Sequence, residues 1–294
     1  MGKRFDEADL RRRLKIGMFI DVSFSIIQFV IGLLSGSLAL ISNGGHGLTD
    51  ALSLLISFIA AKVSMRKASD KKTYGYGRAT IIAALINSVL LILFAVFIFT
   101  EAYERIINPV QVDGFPIVAT AVFGIFVSGG VAALLRRHSS DLNVRSVSLH
   151  MSYDAVAYIG TLLAGLIILL TGQAIFDPLI SIMIGIFMVV GAWGVLQESF
   201  QILLEGTPKW VSIEAVRDAI GRHGAVLEVH DLHVWAISSQ YAALSCHAII
   251  GADSMTECSK IIADIKRMLK KDFNIEHATI EAEIKNSHAG RGHR

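Results

Sequence analysis

Long apolar runs, broken by short polar, basic or glycine-bearing connections, dominate the first two hundred residues. Six of them are long enough to cross a bilayer, because about 20 residues rising 1.5 Å each cover about 30 Å of hydrocarbon. They occupy residues 14–34, 38–63, 79–103, 115–135, 147–170 and 175–200. The runs stop near Phe200, and after Glu205-Gly206-Thr207-Pro208 the pattern becomes that of a small α+β domain. The chain is therefore predicted to divide into a membrane domain, residues 1–205, and a second domain, residues 206–294. In the latter, residues 212–223 have a helical period with Ser212 as N-cap, and residues 226–237 and 241–250 are rich in β-formers. Residues 254–271 read as a second helix. In residues 277–284, Ala278, Ile280, Ala282 and Ile284 alternate with His277, Thr279, Glu281 and Glu283, which predicts a strand with one core face and one polar face.

Composition agrees with the pattern. Of 294 residues, 53% are hydrophobic and only 18% charged, against about 25% charged in a soluble domain. A net charge of +2 is too small to indicate nucleic acid. Cys246 and Cys258 are too few for a disulfide scaffold, and Cys246 fits as a small core residue. The distribution of basic residues sets an orientation. The N-terminal segment and the second-to-third and fourth-to-fifth connections carry fifteen Lys and Arg, whereas the opposite side carries Arg105 alone. Both termini and the second domain are thus predicted to be cytoplasmic, in an integral, multi-pass protein of the cell (inner) membrane.

Ionisable side chains inside spans are costly and mark pathways. The second span contains His46-Gly47-Leu48-Thr49-Asp50 and the fifth contains His150-Met151-Ser152-Tyr153-Asp154. Each is His-x-x-x-Asp, a spacing that puts both side chains on one helix face. Two imidazoles and two carboxylates match the ligand number and type of tetrahedral zinc. Counted at 1.5 Å per residue from the outer side, His46 lies about 13 Å deep, Asp50 about 19 Å and Asp154 about 17 Å, with His150 nearer the inner end. A clamp of His–Asp hydrogen bonds between two helices is the purely structural alternative. Asn43, one turn from His46, is a second-shell candidate. Asp21 and Gln28 share a face of the first span, lining either a cavity or a helix contact. Asp177 before Pro178 reads as the N-cap of the sixth helix, and Glu101 as a solvated outer residue.

With these residues, the chain resembles the cation diffusion facilitators of the zinc, cobalt and cadmium branch. The resemblance rests on both His-x-x-x-Asp pairs, on Tyr74-Gly75-Tyr76-Gly77-Arg78, on Asp177-Pro178 and on Val229-His230-Asp231-Leu232-His233-Val234-Trp235. It implies six membrane helices followed by a cytoplasmic ferredoxin-like domain, a homodimer, and efflux of a divalent metal in exchange for protons. It assigns the transport site to His46, Asp50, His150 and Asp154. It also implies a regulatory zinc site in the cytoplasmic domain, for which His230 and His247 come first, then His277 and Glu283; surface histidines that bind nothing are the alternative. The loop Ser69-Asp70-Lys71-Lys72-Thr73-Tyr74 has one acid and two lysines, so no metal site is expected there, and the lysines fit anionic headgroups of the lipid bilayer.

Histidine supplies a means of exchange, because proton and metal compete for the same ring nitrogen near pH 6.5. Zn2+ is the expected substrate and a regulatory ligand, with Cd2+ or Co2+ as alternatives, since geometry and availability set the choice. A membrane metal sensor without flux is the reading from another class. An enzyme is not expected: there is no His-Glu-x-x-His, and four ligands leave no position for a catalytic water.

Overall fold

The computed structural model describes residues 7–136, 142–238, 241–252 and 254–283, with side chains from 16–133 and from 151 onward within those ranges. Among the described residues, eight helices and three strands follow in the order α1 (Glu7–Ser35), α2 (Leu38–Ser64), α3 (Arg78–Ile107), α4 (Gly114–Arg136), α5 (Leu142–Thr171), α6 (Phe176–Leu203), α7 (Ile213–Gly221), β1 (Val226–Ala236), β2 (Ala242–Ile250), α8 (Met255–Phe273) and β3 (Ile275–Glu283). The first six helices are each long and apolar enough to span a membrane. Their exposed side chains include Phe19, Leu34, Phe58, Phe126, Leu170 and Val190, a surface compatible with acyl chains.

The chain forms two compact units, one of Met1–Ile56 with Ile86–Gly194 and one of Ser57–Leu85 with Val195–Arg294. Within the first, α1 ends at Gly36, whose φ of 69° suits a residue without a Cβ. The amide of Ser37 closes that turn on the carbonyl of Gly32 at 3.1 Å. Its hydroxyl then caps α2, accepting from the amide of Leu40 at 3.2 Å. From Leu38 to Asn43 every α2 side chain is buried.

The second unit takes the ends of α2 and α3 next to the 65–77 connection, the end of α6 and all that follows. Ile81 of α3 and Ile202 of α6 bury against Ala236 of β1. Arg78 lies 3.5 Å from Glu205 and from the carbonyl of Ala236. The loop residues Ser69 and Lys72 exchange backbone hydrogen bonds at 3.1 and 2.9 Å.

The sheet order is β1-β2-β3, antiparallel then parallel. Helix α8 makes the crossover that a parallel pair needs. The predicted N-cap Ser212 accepts from the amide of Ala215, and Ser254 likewise caps α8 by accepting from that of Glu257, each at 3.2 Å. Asn274 ends α8 at φ 54°. The core forms where Val216, Ile220, Leu244, Ile265, Leu269 and Ile280 meet. Cys246 lies in it, 1% exposed, and burial pushes its thiol up to about 11.

Two irregularities position polar side chains. The β1–β2 register breaks between His230 and His233, where Asp231 adopts φ 48°. In a regular strand His230 and His233 would face opposite ways. The bulge puts them on one face, opposite His247 and Ser245. The β2–β3 register breaks between Ala242 and Ala243, with Glu276 as the extra residue. Ile275 thereby joins the core while His277, Thr279, Glu281 and Glu283 stay aligned with Ala243, Ser245, His247 and Ile249. The predicted strand began at residue 277, so Ile275 is an addition to it.

Candidate metal sites

The segment Asn43-Gly44-Gly45-His46-Gly47 lies mid-helix in α2. Its glycines are there for close approach. A Cβ on Gly44 would come within 2.6 Å of the backbone nitrogen of Phe29, and one on Gly47 within 2.1 Å of Ser25 Oγ. Helix α1 therefore packs tightly on this flank, while His46 and Asp50 face a cavity of about 840 Å³. Nδ1 of His46 lies 3.7 Å from Oδ2 of Asp50, one helical turn apart as the spacing predicts. Asp154 of α5 lines the same cavity, as do Asp21 and Asn43. Three of the four residues predicted for a transport site thus share one cavity. The fourth, His150, falls one turn before Asp154 on α5, and its side chain lies outside the described residues. Ionised carboxylates and imidazole nitrogens opening on one cavity can replace the hydration shell of a divalent cation.

The neighbouring polar residues divide by role. Asn43 donates to Oγ1 of Thr161 on α5 at 2.9 Å, so it bridges two helices. Gln28 is fully buried and accepts from the hydroxyl of Tyr158 at 3.0 Å, which makes it a helix contact, whereas Asp21 of the same face lines the cavity.

Asp177 corrects the expectation drawn for it. It lies within the first turn of α6, fully buried, and caps another helix. Its carboxylate accepts from Ser37 Oγ at 2.6 Å, from the amide of Leu38 at 2.7 Å and from that of Ala39 at 3.1 Å. The last two are amides that the start of α2 cannot satisfy internally. Arg105 Nη1 is 3.6 Å from Asp177 and donates to the carbonyl of Gly36. Arg105 Nε bonds Glu101 at 2.9 Å, so Glu101 is engaged in an ion pair instead of being simply solvated. Pairing lets an Arg be retained at the end of a span.

On the polar face of the sheet, one donor atom each from His230, His247 and Glu283 lies within 4.8 Å of the others. The rings of His230 and His247, directly opposed across β1 and β2, have centroids 5.2 Å apart. Glu283 Oε1 is 2.6 Å from Nδ1 of His247 and 3.6 Å from Nε2 of His230. Nε2 of His247 lies 3.7 Å from both Asp231 and Glu281. The hydrogen bond with Glu283 outweighs the desolvation of the ring and, with the charges of Glu281, Glu283 and Asp231, holds the His247 pKa above its ordinary value. His277 is not in this group: its ring packs on Tyr74 with centroids 5.6 Å apart. Asp231 and Glu281 flank the cluster. The position of Asp231 follows from the bulge, which strand periodicity does not reveal.

Sequence comparison places these features among known proteins. Residues 14–204 match the cation efflux transmembrane domain, and residues 208–285 match the cytoplasmic domain of cation efflux proteins. The zinc transporter ZitB of Pectobacterium atrosepticum is 35% identical over 281 residues, covering 94% of this chain and 87% of that protein. A cadmium, cobalt and zinc/H(+)-K(+) antiporter of Bacillus subtilis is 34% identical over 287 residues, covering 96% and 92%. Among solved structures, the metal-bound C-terminal domain of the CzcD transporter from Cupriavidus metallidurans is 32% identical, covering 25% of this chain and 100% of that domain with a TM-score of 0.23.

Proposed function

Because the chain belongs to the cation efflux family, we propose that it exports divalent metal ions, zinc foremost, from the cytoplasm in exchange for protons. The observation that carries this reading is the convergence of His46 and Asp50 of α2 and Asp154 of α5 on one cavity inside the membrane unit. His150, one turn along α5, completes a set of two imidazoles and two carboxylates. Zinc neutralises the two carboxylates, and a tetrahedral ion needs four donors at about 2.0–2.2 Å. Alternating access then exposes the site to each side in turn. On the cytoplasmic side zinc displaces protons from the imidazoles; on the far side protonation of His46 or His150 lowers the donor count and releases the ion. Cadmium and cobalt are further substrates of the same donor set.

The chain acts as a homodimer in the cell membrane with both termini cytoplasmic. Cytoplasmic zinc at His230, His247 and Glu283, with Asp231 or Glu281 supplying a further oxygen, draws the cytoplasmic domains together and biases transport. His277, packed on Tyr74, is left out of that set.

Reconstituted in proteoliposomes, the protein should move zinc at a rate set by the pH gradient, and Asp50→Ala or Asp154→Ala should abolish the flux. His46→Asp should shift preference toward harder cations such as manganese before activity is lost. Zinc flux unaffected by collapse of the gradient would remove the proton exchange; no metal flux at all would remove the transport reading.

A further inference from the structure

A four-ligand site shared by two helices works only if the helices keep one register. We propose that the buried hydrogen bond between Asn43 and Thr161 is the peg that registers the two halves of the transport site, making both of them positioning residues for metal selectivity. The proposal rests on the transport reading of His46, Asp50, His150 and Asp154.

The geometry is specific. Nδ2 of Asn43 donates to Oγ1 of Thr161 at 2.9 Å, and Asn43 is 7% and Thr161 0% exposed. The Thr161 hydroxyl spends its own proton on the carbonyl of Ala157 at 3.1 Å, so its lone pairs are what it offers to Asn43. On α2, Asp50 follows Asn43 by seven residues; on α5, Thr161 follows Asp154 by seven. Seven residues are two turns, about 10.5 Å, and return to the same face within about 20°. As the second and fifth of six spans, α2 and α5 run in opposite directions. The two offsets therefore point the same way across the membrane.

Pinning Asn43 to Thr161 thus sets Asp50 and Asp154 at matching depth. A slip of one turn would move one ligand pair by about 5.4 Å against the other. That exceeds the span of about 4 Å that two zinc–oxygen bonds bridge. Ala157, one turn from Thr161 toward Asp154, is small and lines the same cavity as Asp50 and Asp154.

Loosening the register should penalise zinc, with its short bonds and tetrahedral preference, more than the larger cadmium ion. The test titrates zinc and, separately, cadmium into the full-length chain in lipid nanodiscs, with His230→Ala and His247→Ala silencing the cytoplasmic cluster. Thr161→Val removes the acceptor, Thr161→Ser keeps it, and Asn43→Ser withdraws the donor by a shorter route should Thr161→Val fold poorly.

Thr161→Val and Asn43→Ser should each weaken zinc binding by about 10–100-fold, the range seen when an outer partner of a metal site is lost. Cadmium should weaken by a smaller factor, and Thr161→Ser should restore zinc affinity. Unchanged zinc affinity in a folded Thr161→Val or Asn43→Ser protein overturns the peg, as does an equal loss for both metals. If the reference protein binds neither metal, the transport site itself fails, and that result is read before any Asn43 or Thr161 variant is made.

Discussion

Removing the carboxylate of Asp177 should unfasten α2 at its Ser37 end. In Asp177→Ala the amides of Leu38 and Ala39 and the hydroxyl of Ser37 lose their acceptor at once, and Arg105 loses a counter-charge at 3.6 Å. Hydrogen bonds between membrane helices average about 0.6 kcal/mol, because the unfolded chain in lipid also finds partners, so three of them set a floor of about 2 kcal/mol. Leaving one member of a buried ion pair alone costs about 3–5 kcal/mol, and here Glu101 still holds Arg105, so that range is a ceiling. The expected loss is therefore about 2–5 kcal/mol. Ser37→Ala removes the cap on Leu40 as well as the donor to Asp177 and should cost about 1 kcal/mol. Equilibrium unfolding in mixed detergent micelles, followed by tryptophan fluorescence, measures each loss. The double variant should lose less than the sum of the two, with a coupling of at least about 0.5 kcal/mol. An Asp177→Ala protein within about 0.5 kcal/mol of the parent, or strict additivity with Ser37→Ala, would refute the reasoning.

Zinc binding to the cytoplasmic cluster should fall at least about tenfold in His247→Ala or Glu283→Gln and stay unchanged in His277→Ala; calorimetric titration of the full chain carrying Asp50→Ala and Asp154→Ala isolates that site. The raised pKa of His247 predicts a pH dependence with a definite sign. In the metal-free protein its pairing with Glu283 contributes fully to stability below the ordinary imidazole value of about 6.5 and is lost as pH rises through the raised value. Zinc requires the deprotonated ring, so zinc affinity at the cluster should weaken as pH falls below that value. Thermal unfolding and zinc titration across about pH 5.5 to 8.5 check both slopes, and Glu283→Gln should flatten the first.

Much of this was legible in the chain. The six apolar runs correspond to α1 through α6, and Ser212 and Ser254 cap the helices predicted for them. The alternation in the last strand put Glu281 and Glu283 on the polar face where the structure has them. Other features had no local signal. Asp177 looked like the cap of its own helix because Asp-Pro is a strong local cue, yet the amides it serves are 138 and 139 residues away. Asn43 stood one turn from His46, and its partner proved to be Thr161, 118 residues on. His277 fitted the period of the polar face, but its ring packs on Tyr74 of a distant loop.

By itself, the sequence determined that this chain enters a membrane, how many times, and which donor types lie within the spans. Hydropathy and helical period are properties of about 20 consecutive residues, and a His-x-x-x-Asp pair aligns its two side chains whatever surrounds it. Only the tertiary structure decided which donors meet. The cavity joining His46 and Asp50 to Asp154, the cluster of His230, His247 and Glu283, and the capping of α2 by Asp177 each bring together segments far apart in the chain. Their contact depends on helix packing and strand register, including a bulge at Asp231, and such long-range packing leaves no periodic trace in a single sequence.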